Sequence, residues 1–252
     1  SRNYINAYAN GKKSIDALPS IIAGIPSIGN HYIKSHHSTN KVDALPILLK
    51  QKGYSSAFYH GAPNGSMGFD AFCKHSGFDN YYGLNEYEEE NEFKGNIWGV
   101  FDEEYFQYFA KGISSMKEPF FSTFFSLSSH GPFVMPEQHK GKFRKGPLKV
   151  HEMVHYTDYS LKQFFKTVEK KEWYNNTIFV ITADHTSVPH FKDYNNGNGQ
   201  FQIPLLIFEP NSNQKGDVEI TSQQIDILPT ILYELNYDEP YFSFVRNLND
   251  TT

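Results

Sequence analysis

The segment from Thr177 to His190, TIFVITADHTSVPH, constrains the fold more than any other stretch of the chain. Its first part, Thr177 to Thr182, is a short apolar run rich in β-branched residues, which predicts a buried strand. Asp184 and His185 follow almost at once. Because neighbouring residues of a strand point to opposite faces, these two side chains can share a target only beyond the strand's carboxyl end. In open α/β sheets, ligands bind at that edge.

An adjacent carboxylate and imidazole suit a divalent cation such as Mn²⁺, Zn²⁺ or Mg²⁺, and the cation suits an anionic ester. The alternative is that Asp184 caps a turn and His185 fills a gap in the packing. The dipeptide alone favours this second interpretation, so the decision depends on other residues.

Three segments share an Asp followed by apolar residues and a Leu-Pro pair: Ile15–Pro19, Val42–Pro46 and Ile225–Pro229. Each predicts the start of a helix. The Asp can cap unpaired amides, and Pro is tolerated in the first helical turn. The spacing of the three segments is irregular, which excludes a repeat architecture.

Strands and helices alternate along the rest of the chain. Further strands are predicted at Tyr54–Tyr59, Phe120–Leu127 and Ile203–Phe208, and helices at Asp102–Lys111 and His151–Trp173. The second of these helices carries an apolar stripe formed by Val154, Leu161, Phe164, Phe165 and Val168. The alternation predicts an α/β fold with a mostly parallel sheet covered on both faces, forming a single domain over residues 1–252.

Composition narrows the possible partners. The 252 residues carry a formal net charge of -5 and no dense block of Lys or Arg, so nucleic acid is not expected as a partner. Cys73 is the single cysteine, which excludes a disulfide framework. The sequence has no apolar run long enough to cross a bilayer and no signal peptide.

Two other positions carry reactive side chains. His130 lies in the loop that follows the predicted strand Phe120–Leu127, the same situation as Asp184 and His185. Ser14 stands just ahead of a predicted helix, where the helix N-terminus stabilises an anion; the alternative is a turn serine without a role. Together these residues could supply a nucleophile, a metal that activates it, and a proton donor or phosphate-binding group.

Five motifs then resemble one family in order and spacing, across nearly the whole chain. They are Asn10–Pro19 (NGKKSIDALP), His60–Asp70 (HGAPNGSMGFD), Ser129–Phe133 (SHGPF), Thr182–His185 (TADH) and Asp226–Thr230 (DILPT). The chain resembles the sulfatase-fold phosphoglycerol transferases, the group that contains lipoteichoic acid synthase. This resemblance implies a three-layer α/β/α sandwich of the alkaline phosphatase type and one divalent metal, Mn by first choice and Mg or Zn otherwise. In that family a Thr attacks the phosphate ester of phosphatidylglycerol and forms a covalent glycerophosphate intermediate.

The resemblance also implies roles for individual residues. Ser14 occupies the position of the nucleophilic Thr, which also binds the metal, and its hydroxyl should keep the chemistry. Asp184 and His185 occupy the positions of two metal ligands. His130 occupies the position of a substrate-binding His.

The loop that contains His60 and Asn64 matches the segment that grips the glycerophosphate, so both are expected to bind substrate. This chain has Met67 and Phe69 where lipoteichoic acid synthase has a Trp and an Arg, which leaves the exact substrate open. Trp98 is a further candidate for the wall of the same pocket; the alternative is a core aromatic.

Two other functions stay open. A sulfatase converts a Cys or Ser to formylglycine within a Cys/Ser-x-Pro-x-Arg signature, whereas Ser14 is followed by Ile-Asp-Ala-Leu. The missing signature favours phosphoryl transfer over hydrolysis of a sulfuric ester. The second alternative is a catalytically silent domain of the same fold that binds anionic glycans.

In the resembling family, an apolar strand ending in an acidic metal ligand lies upstream of the nucleophile, after several membrane spans. This chain has no Asp or Glu before Asp16. We therefore expect a fragment of a longer membrane-anchored protein that lacks its first strand and one metal ligand, and that binds metal weakly. The resemblance places the full-length protein on the extracytoplasmic face of a bacterial membrane, with a phospholipid or glycan headgroup as substrate.

Overall fold

The computed structural model describes residues 1–250 and has a mixed α/β architecture. The helices are α1 (Ser14–Ala23), α2 (Leu45–Lys50), α3 (Phe69–His75), α4 (Leu84–Glu88), α5 (Asp102–Ile113), α6 (Lys149–Val168) and α7 (Ile227–Glu234). The strands are β1 (Arg2–Tyr4), β2 (Ala7–Tyr8), β3 (Ser55–His60), β4 (Asn80–Tyr82), β5 (Gly95–Asn96), β6 (Gly99–Val100), β7 (Phe120–Phe125), β8 (Phe179–Thr182), β9 (Leu205–Phe208), β10 (Gly216–Val218) and β11 (Ser222–Gln223).

The chain forms two compact units. The first unit consists of Ser1–Lys52, Met67–Gly77 and the residues from Asn175 onward, and the second of Gly53–Ser66 and Phe78–Tyr174. The single domain predicted over residues 1–252 stays a prediction.

The first unit contains a four-stranded sheet with the strand order β10-β1-β9-β8. β1 runs parallel to β10, whereas β9 runs antiparallel to both β1 and β8. A second pair, β2 and β11, is parallel. β8 follows the predicted strand closely, but the sequence did not predict β1 and β2, because strands of three and two residues show no readable alternation.

The second unit contains a fully parallel sheet with the order β4-β3-β7. β3 and β7 pair along their whole length, from Ser55 with Phe120 to His60 with Phe125, so both strands end at the same edge. α5 packs against α6 through aromatic rings; Phe109 and Phe164, for example, stack with centroids 5.3 Å apart. The short β5–β6 hairpin stands apart from this sheet.

The predicted apolar stripe of the long helix α6 is wrong at Val154, whose surface is 53% exposed. The buried residues of α6 are Met153, Tyr156, Ser160, Phe164 and Val168. These positions share one face at the helical period, and Val154 lies about 100° away from Met153 around the axis. The sequence pattern did not identify this buried face because two of its residues, Tyr156 and Ser160, are polar.

The predicted caps are wrong at two of the three Asp positions. Asp16 lies buried inside the first turn of α1, where its Oδ1 pairs with His31 Nδ1 at 2.7 Å, and no side chain caps this helix. Asp43 accepts a hydrogen bond from a distant backbone amide instead of capping α2. Asp226 does cap, because its Oδ2 accepts a 2.6 Å hydrogen bond from the Gln223 amide ahead of the short turn that leads into α7.

Between residues 1 and 250, no helix has both the length and the apolar character that crossing a bilayer requires.

Candidate active site

The first unit brings Ser14, Asp184 and His185 together. Ser14 is the first residue of α1, and the other two follow the end of β8. Ser14 Oγ donates a hydrogen bond of 2.5 Å to Asp184 Oδ2. His185 Nε2 lies 3.5 Å from Ser14 Oγ and 3.3 Å from Asp184 Oδ2. The structure therefore brings three of the predicted site residues together within this unit, and their roles stay predictions.

The imidazole of His185 has a defined orientation. Its Nδ1 lies 2.7 Å from the carbonyl oxygen of Thr186, which can only accept, so Nδ1 carries the proton. In the neutral ring, Nε2 then presents a lone pair towards Ser14 Oγ and Asp184 Oδ2. The backbone amide of His185 donates to the other carboxylate oxygen, Asp184 Oδ1, at 2.8 Å.

This donor set fits a divalent cation. An imidazole lone pair and a carboxylate oxygen lie 3.3 Å apart, and the Ser14 hydroxyl proton is directed at the carboxylate. A histidine that binds a metal usually donates its other N–H to a carbonyl or carboxylate, as His185 does here. Among residues 1–250, no three His, Cys, Asp or Glu side chains gather where they could hold an ion. The protein ligands on offer are thus Asp184, His185 and the Ser14 hydroxyl.

The backbone around Ser14 favours an anion. Lys13, the residue at the N-cap of α1, is extended and makes no side-chain cap. The Asp16 amide already donates to the Lys13 carbonyl at 2.9 Å, so the amides of Ser14 and Ile15 are the ones that a ligand could use. Lys12 adds a positive charge nearby and lies over the ring of Phe201 at 4.8 Å. Gly11 permits the approach of this loop to the helix, because a Cβ there would come within 2.4 Å of Asp16 Cβ.

The second unit holds His130 in the loop after β7, where it is exposed. Its Nδ1 donates to the Gly131 carbonyl at 2.8 Å, since a carbonyl can only accept. This leaves Nε2 as the nitrogen that can exchange a proton with a ligand. The ring of Trp98 meets that of His130 edge to face at 4.4 Å, and Trp98 Nε1 donates to the same Gly131 carbonyl. Trp98 is 41% exposed, which excludes the alternative of a core aromatic.

His60 and Asn64 belong to the same unit as His130. His60 is fully buried, its Nδ1 lies 3.3 Å from the Tyr81 hydroxyl, and burial lowers its pKa to about 4. Asn64 Nδ2 lies 3.1 Å from each carboxylate oxygen of Glu86. Both side chains thus shape the loop from within, and their contact with substrate stays a prediction.

The two departures from the family motif differ in exposure. Met67 is partly exposed and has a positive φ of 55°, which is unusual for a residue with a long side chain. Phe69 is fully buried at the start of α3. The position where the resemblance implies an Arg therefore has a side chain buried in the core of this chain.

Sequence reasoning missed Gln224, which binds the backbone of Asp184. A sequence feature that could have indicated its role is the polar pair Gln223-Gln224, which stands immediately before the apolar residues that lead into α7. The side chains predicted for one site form two groups: Ser14, Asp184 and His185 in the first unit, and His130, Trp98, His60 and Asn64 in the second. That both groups serve one site stays a prediction.

Comparison with known proteins decides the family. The sulfatase family model matches residues 3–237. The chain belongs to the sulfatase family. This sulfatase-family chain is 29% identical over 270 residues to lipoteichoic acid synthase 1 of Bacillus subtilis, and the match covers 98% of the chain and 41% of that protein. The predicted relationship to lipoteichoic acid synthases, which are enzymes, is confirmed.

Solved structures confirm the fold class. An alkaline phosphatase superfamily protein from Vibrio parahaemolyticus matches with a TM-score of 0.88 and 26% identity, over 99% of this chain and 61% of that one. The lipoteichoic acid synthase LtaP from Listeria monocytogenes matches with a TM-score of 0.82 and 19% identity, over 96% and 65%. The predicted α/β/α sandwich of the alkaline phosphatase and sulfatase type is the fold of this chain. It spans between 39% and 41% of the length of its curated relatives.

Proposed function

We propose that this chain is a metal-dependent phosphotransferase or phosphodiesterase that acts on a phosphoglycerol-type headgroup through Ser14. The observation that carries the proposal is the 2.5 Å hydrogen bond from Ser14 Oγ to Asp184 Oδ2 at an uncapped helix N-terminus. The similarity to lipoteichoic acid synthase supports the substrate class.

The nucleophile is the Ser14 oxygen. Asp184 holds the hydroxyl proton through Oδ2 and so directs the lone pairs of Oγ away from the carboxylate, towards the substrate. A divalent ion, which sulfatase-family proteins generally use, would here lower the pKa of the hydroxyl and offset the charge of the phosphoryl oxygens. The amides that open α1 add hydrogen bonds to those oxygens.

Two displacements complete the reaction. In the first, Ser14 Oγ releases its proton through Asp184 Oδ2 to solvent and forms a bond to phosphorus. The ester bond to the lipid alcohol breaks, and the alcohol leaves with a proton taken from a doubly protonated histidine. We assign that proton to Nε2 of His130, whose Nδ1–H is anchored on the Gly131 carbonyl. In the second, an acceptor hydroxyl or water gives its proton to His130 and attacks the phosphorus. The bond between phosphorus and Ser14 Oγ breaks, and Oγ takes up a proton from solvent through Asp184 Oδ2, which restores the Ser14 alcohol.

We assign binding of the headgroup to the exposed rings of Trp98 and His130. Trp98 and His130 meet at 4.4 Å and share one carbonyl acceptor, so together they offer an apolar face and a polar edge to a glycerol unit. His60 and Asn64 are further proposed contacts. We propose Mn as the metal, and the extracytoplasmic face of a bacterial membrane as the place of action.

A second candidate is a silent domain that binds anionic glycans. It is favoured by the small ligand set, in which Asp184 supplies the one carboxylate and no cluster of three acidic, His or Cys groups exists within residues 1–250. Calorimetric titration with Mn²⁺ separates the candidates, because the enzyme requires an ion at Asp184 and His185. A third candidate function is the hydrolysis of sulfuric esters. Mass spectrometry of the peptide that contains Ser14 tests it, because a formylglycine at this position would support a sulfatase.

The test of the main proposal is covalent labelling. The chain is incubated with Mn²⁺ and phosphatidylglycerol vesicles, and intact and peptide masses are measured. We expect one glycerophosphoryl group on Ser14, no adduct on Ser14→Ala, and an unchanged adduct on Ser187→Ala, a control that removes an exposed hydroxyl just beyond His185. Labelling that persists in Ser14→Ala contradicts the proposal.

A further inference from the structure

Gln224 is a buried polar residue of the first unit, with 1% of its surface exposed. Its Nε2 donates to two successive backbone carbonyls, those of Ala183 at 3.0 Å and Asp184 at 2.7 Å. Its Oε1 accepts a hydrogen bond of 3.0 Å from the backbone amide of Asn10. One side-chain amide thus binds the turn that carries Asp184 and the loop that leads to Ser14.

The side chain of Asn10 completes the connection. Its Oδ1 accepts from the Ile225 amide at 3.0 Å, and its Nδ2 donates to Gln223 Oε1 at 2.7 Å. The contacts are therefore reciprocal: the Gln224 side chain binds the Asn10 backbone amide, and the Asn10 side chain binds the backbone amide of Ile225, the residue after Gln224. Three segments far apart in sequence meet at this point: the loop before α1, the turn after β8 and the turn before α7.

The reactive atoms need such a connection. Ser14 and Asp184 come from two of these segments, and their reactive oxygens are 2.5 Å apart. Productive geometry at a site requires positions fixed to about half an ångström, which supporting hydrogen bonds provide. The hydroxyl and the carboxylate cannot hold each other during catalysis, because the hydroxyl proton leaves the oxygen when the nucleophile attacks.

We propose that Gln224 is the positioning residue that fixes Asp184 against Ser14, by holding the Ala183 and Asp184 carbonyls and the Asn10 amide on one rigid side chain. In this role Gln224 acts through the backbone of Asp184 and Asn10 and not as a ligand of the ion or the substrate. Its effect on turnover rests on the proposed function, whereas its effect on the two loops does not.

Three variants separate the two ends of the amide. Gln224→Glu keeps an acceptor for the Asn10 amide but has at most one proton to give, in place of the two hydrogens that bind the two carbonyls. Gln224→Met removes donor and acceptor at similar length. Gln202→Met is the matched control, since Gln202 Nε2 also donates to a backbone carbonyl of the first unit, that of Ile5 at 3.0 Å, without binding Asp184 or Asn10.

The first measurement is amide hydrogen exchange of the whole chain without metal. In Gln224→Glu we expect exchange over residues 184–186 to rise about tenfold while the Asn10 amide keeps its protection. In Gln224→Met both should exchange faster, and in Gln202→Met neither should. If Gln224→Met does not fold, Gln224→Glu still tests the proposal, because it alters one end of the amide.

The second measurement is Mn²⁺ affinity by calorimetry, together with kcat and KM on a phosphodiester. Gln224→Glu should bind Mn²⁺ about tenfold more weakly and lose kcat with little change in KM. Wild-type exchange at residues 184–186 in both Gln224 variants would overturn the proposal, as would a uniform rise through the first unit. If wild-type protein forms no adduct on Ser14, the proposed function fails while the exchange result still decides the role of Gln224.

Discussion

The two groups of candidate residues are held in different ways. In the first unit, Ser14, Asp184 and His185 bind one another or the backbone, and buried Gln224 supports them from behind. In the second unit, His130 and Trp98 are exposed and share a single acceptor, the Gly131 carbonyl. The first arrangement has more supporting hydrogen bonds, so we expect it to change less than the second when a ligand binds.

Two histidines sharpen the contrast. His185 and His130 both donate through Nδ1 to a carbonyl, so Nε2 is the reactive nitrogen in each. The Nε2 of His185 faces a carboxylate oxygen at 3.3 Å, which suits a cation. His130 lies beside the Trp98 indole and is exposed, so its Nε2 is accessible for a proton exchange with substrate. Metal binding and proton transfer should therefore be separable by mutation.

The largest effect is expected for Asp184→Asn. The amide keeps the size of the side chain but removes its charge and reverses half of its hydrogen bonding, so we expect Mn²⁺ affinity to fall about 100-fold and adduct formation on Ser14 about 1000-fold. Calorimetry measures the Mn²⁺ affinity, and intact-mass spectrometry measures the adduct. Asp193→Asn, which neutralises an exposed residue of the same unit, is the control and should match wild type. Full metal affinity in Asp184→Asn would contradict the metal assignment.

His130→Gln should lower turnover about 100-fold through the loss of a proton donor, with Mn²⁺ affinity unchanged. Measuring both quantities on one preparation tests whether the two histidines have separate roles. His155→Gln is the control in the same unit, because His155 is exposed on α6. A parallel loss of metal affinity in His130→Gln would abolish the distinction drawn between the groups.

The stability of the two units should respond to pH with opposite sign. Burial lowers the pKa of His60 to about 4 in the folded second unit, so stability is full above the unfolded pKa of about 6.5 and falls as pH drops below it, by about 2 kcal/mol at pH 5. Burial raises the pKa of Asp226 in the first unit to about 6, so protonation favours the folded state and this unit loses stability as pH rises from 4 through 6.

Amide exchange at pH 5 and pH 7 measures both units at once. The second unit should open more readily at pH 5, and His60→Gln should remove this dependence. Asp226→Asn should remove the opposite trend in the first unit, since an amide oxygen can still accept from the Gln223 amide. If the stability of both units changes in the same direction between pH 5 and pH 7, groups other than His60 and Asp226 control the pH dependence.

The smallest effect is expected for Trp98→Phe. The change keeps a ring beside His130 but deletes the Nε1 donor to Gly131, so KM should rise about threefold to tenfold while the melting temperature stays near wild type. Trp98→Leu, which also removes the aromatic face, should raise KM further. Equal KM values for the two variants would locate the effect in the lost hydrogen bond alone.

Much of this architecture follows from local sequence. The helix that starts at Ser14 ends at Ala23 and is followed by Gly24, which takes the left-handed conformation typical of a C-terminal glycine. Asp184 and His185 follow the end of β8, as expected. Both elements depend on residues within a few positions of one another, so a local sequence pattern is enough to predict them. The motifs added the pairing of Ser14 with Asp184, which no local pattern contains.

The rest depends on partners distant in sequence. Asp16 was predicted as a cap, but the structure uses it to bind His31. Gln224 gains its role only from Asn10 and the turn after β8, and neither is visible from its own neighbours. β1 is a strand because β10 and β9 flank it on both sides, although its three residues carry no strand pattern.

The central claim is that Ser14, Asp184 and His185 form a metal-activated nucleophile. A crystal structure of the chain with Mn²⁺ and glycerol phosphate tests it most directly. We predict one ion bound by Asp184 and by His185 Nε2, at about 2.0 to 2.3 Å, with the phosphate beside Ser14 Oγ and the first amides of α1. An ion bound elsewhere, or His185 Nε2 turned away while the phosphate lies far from Ser14, would contradict the account.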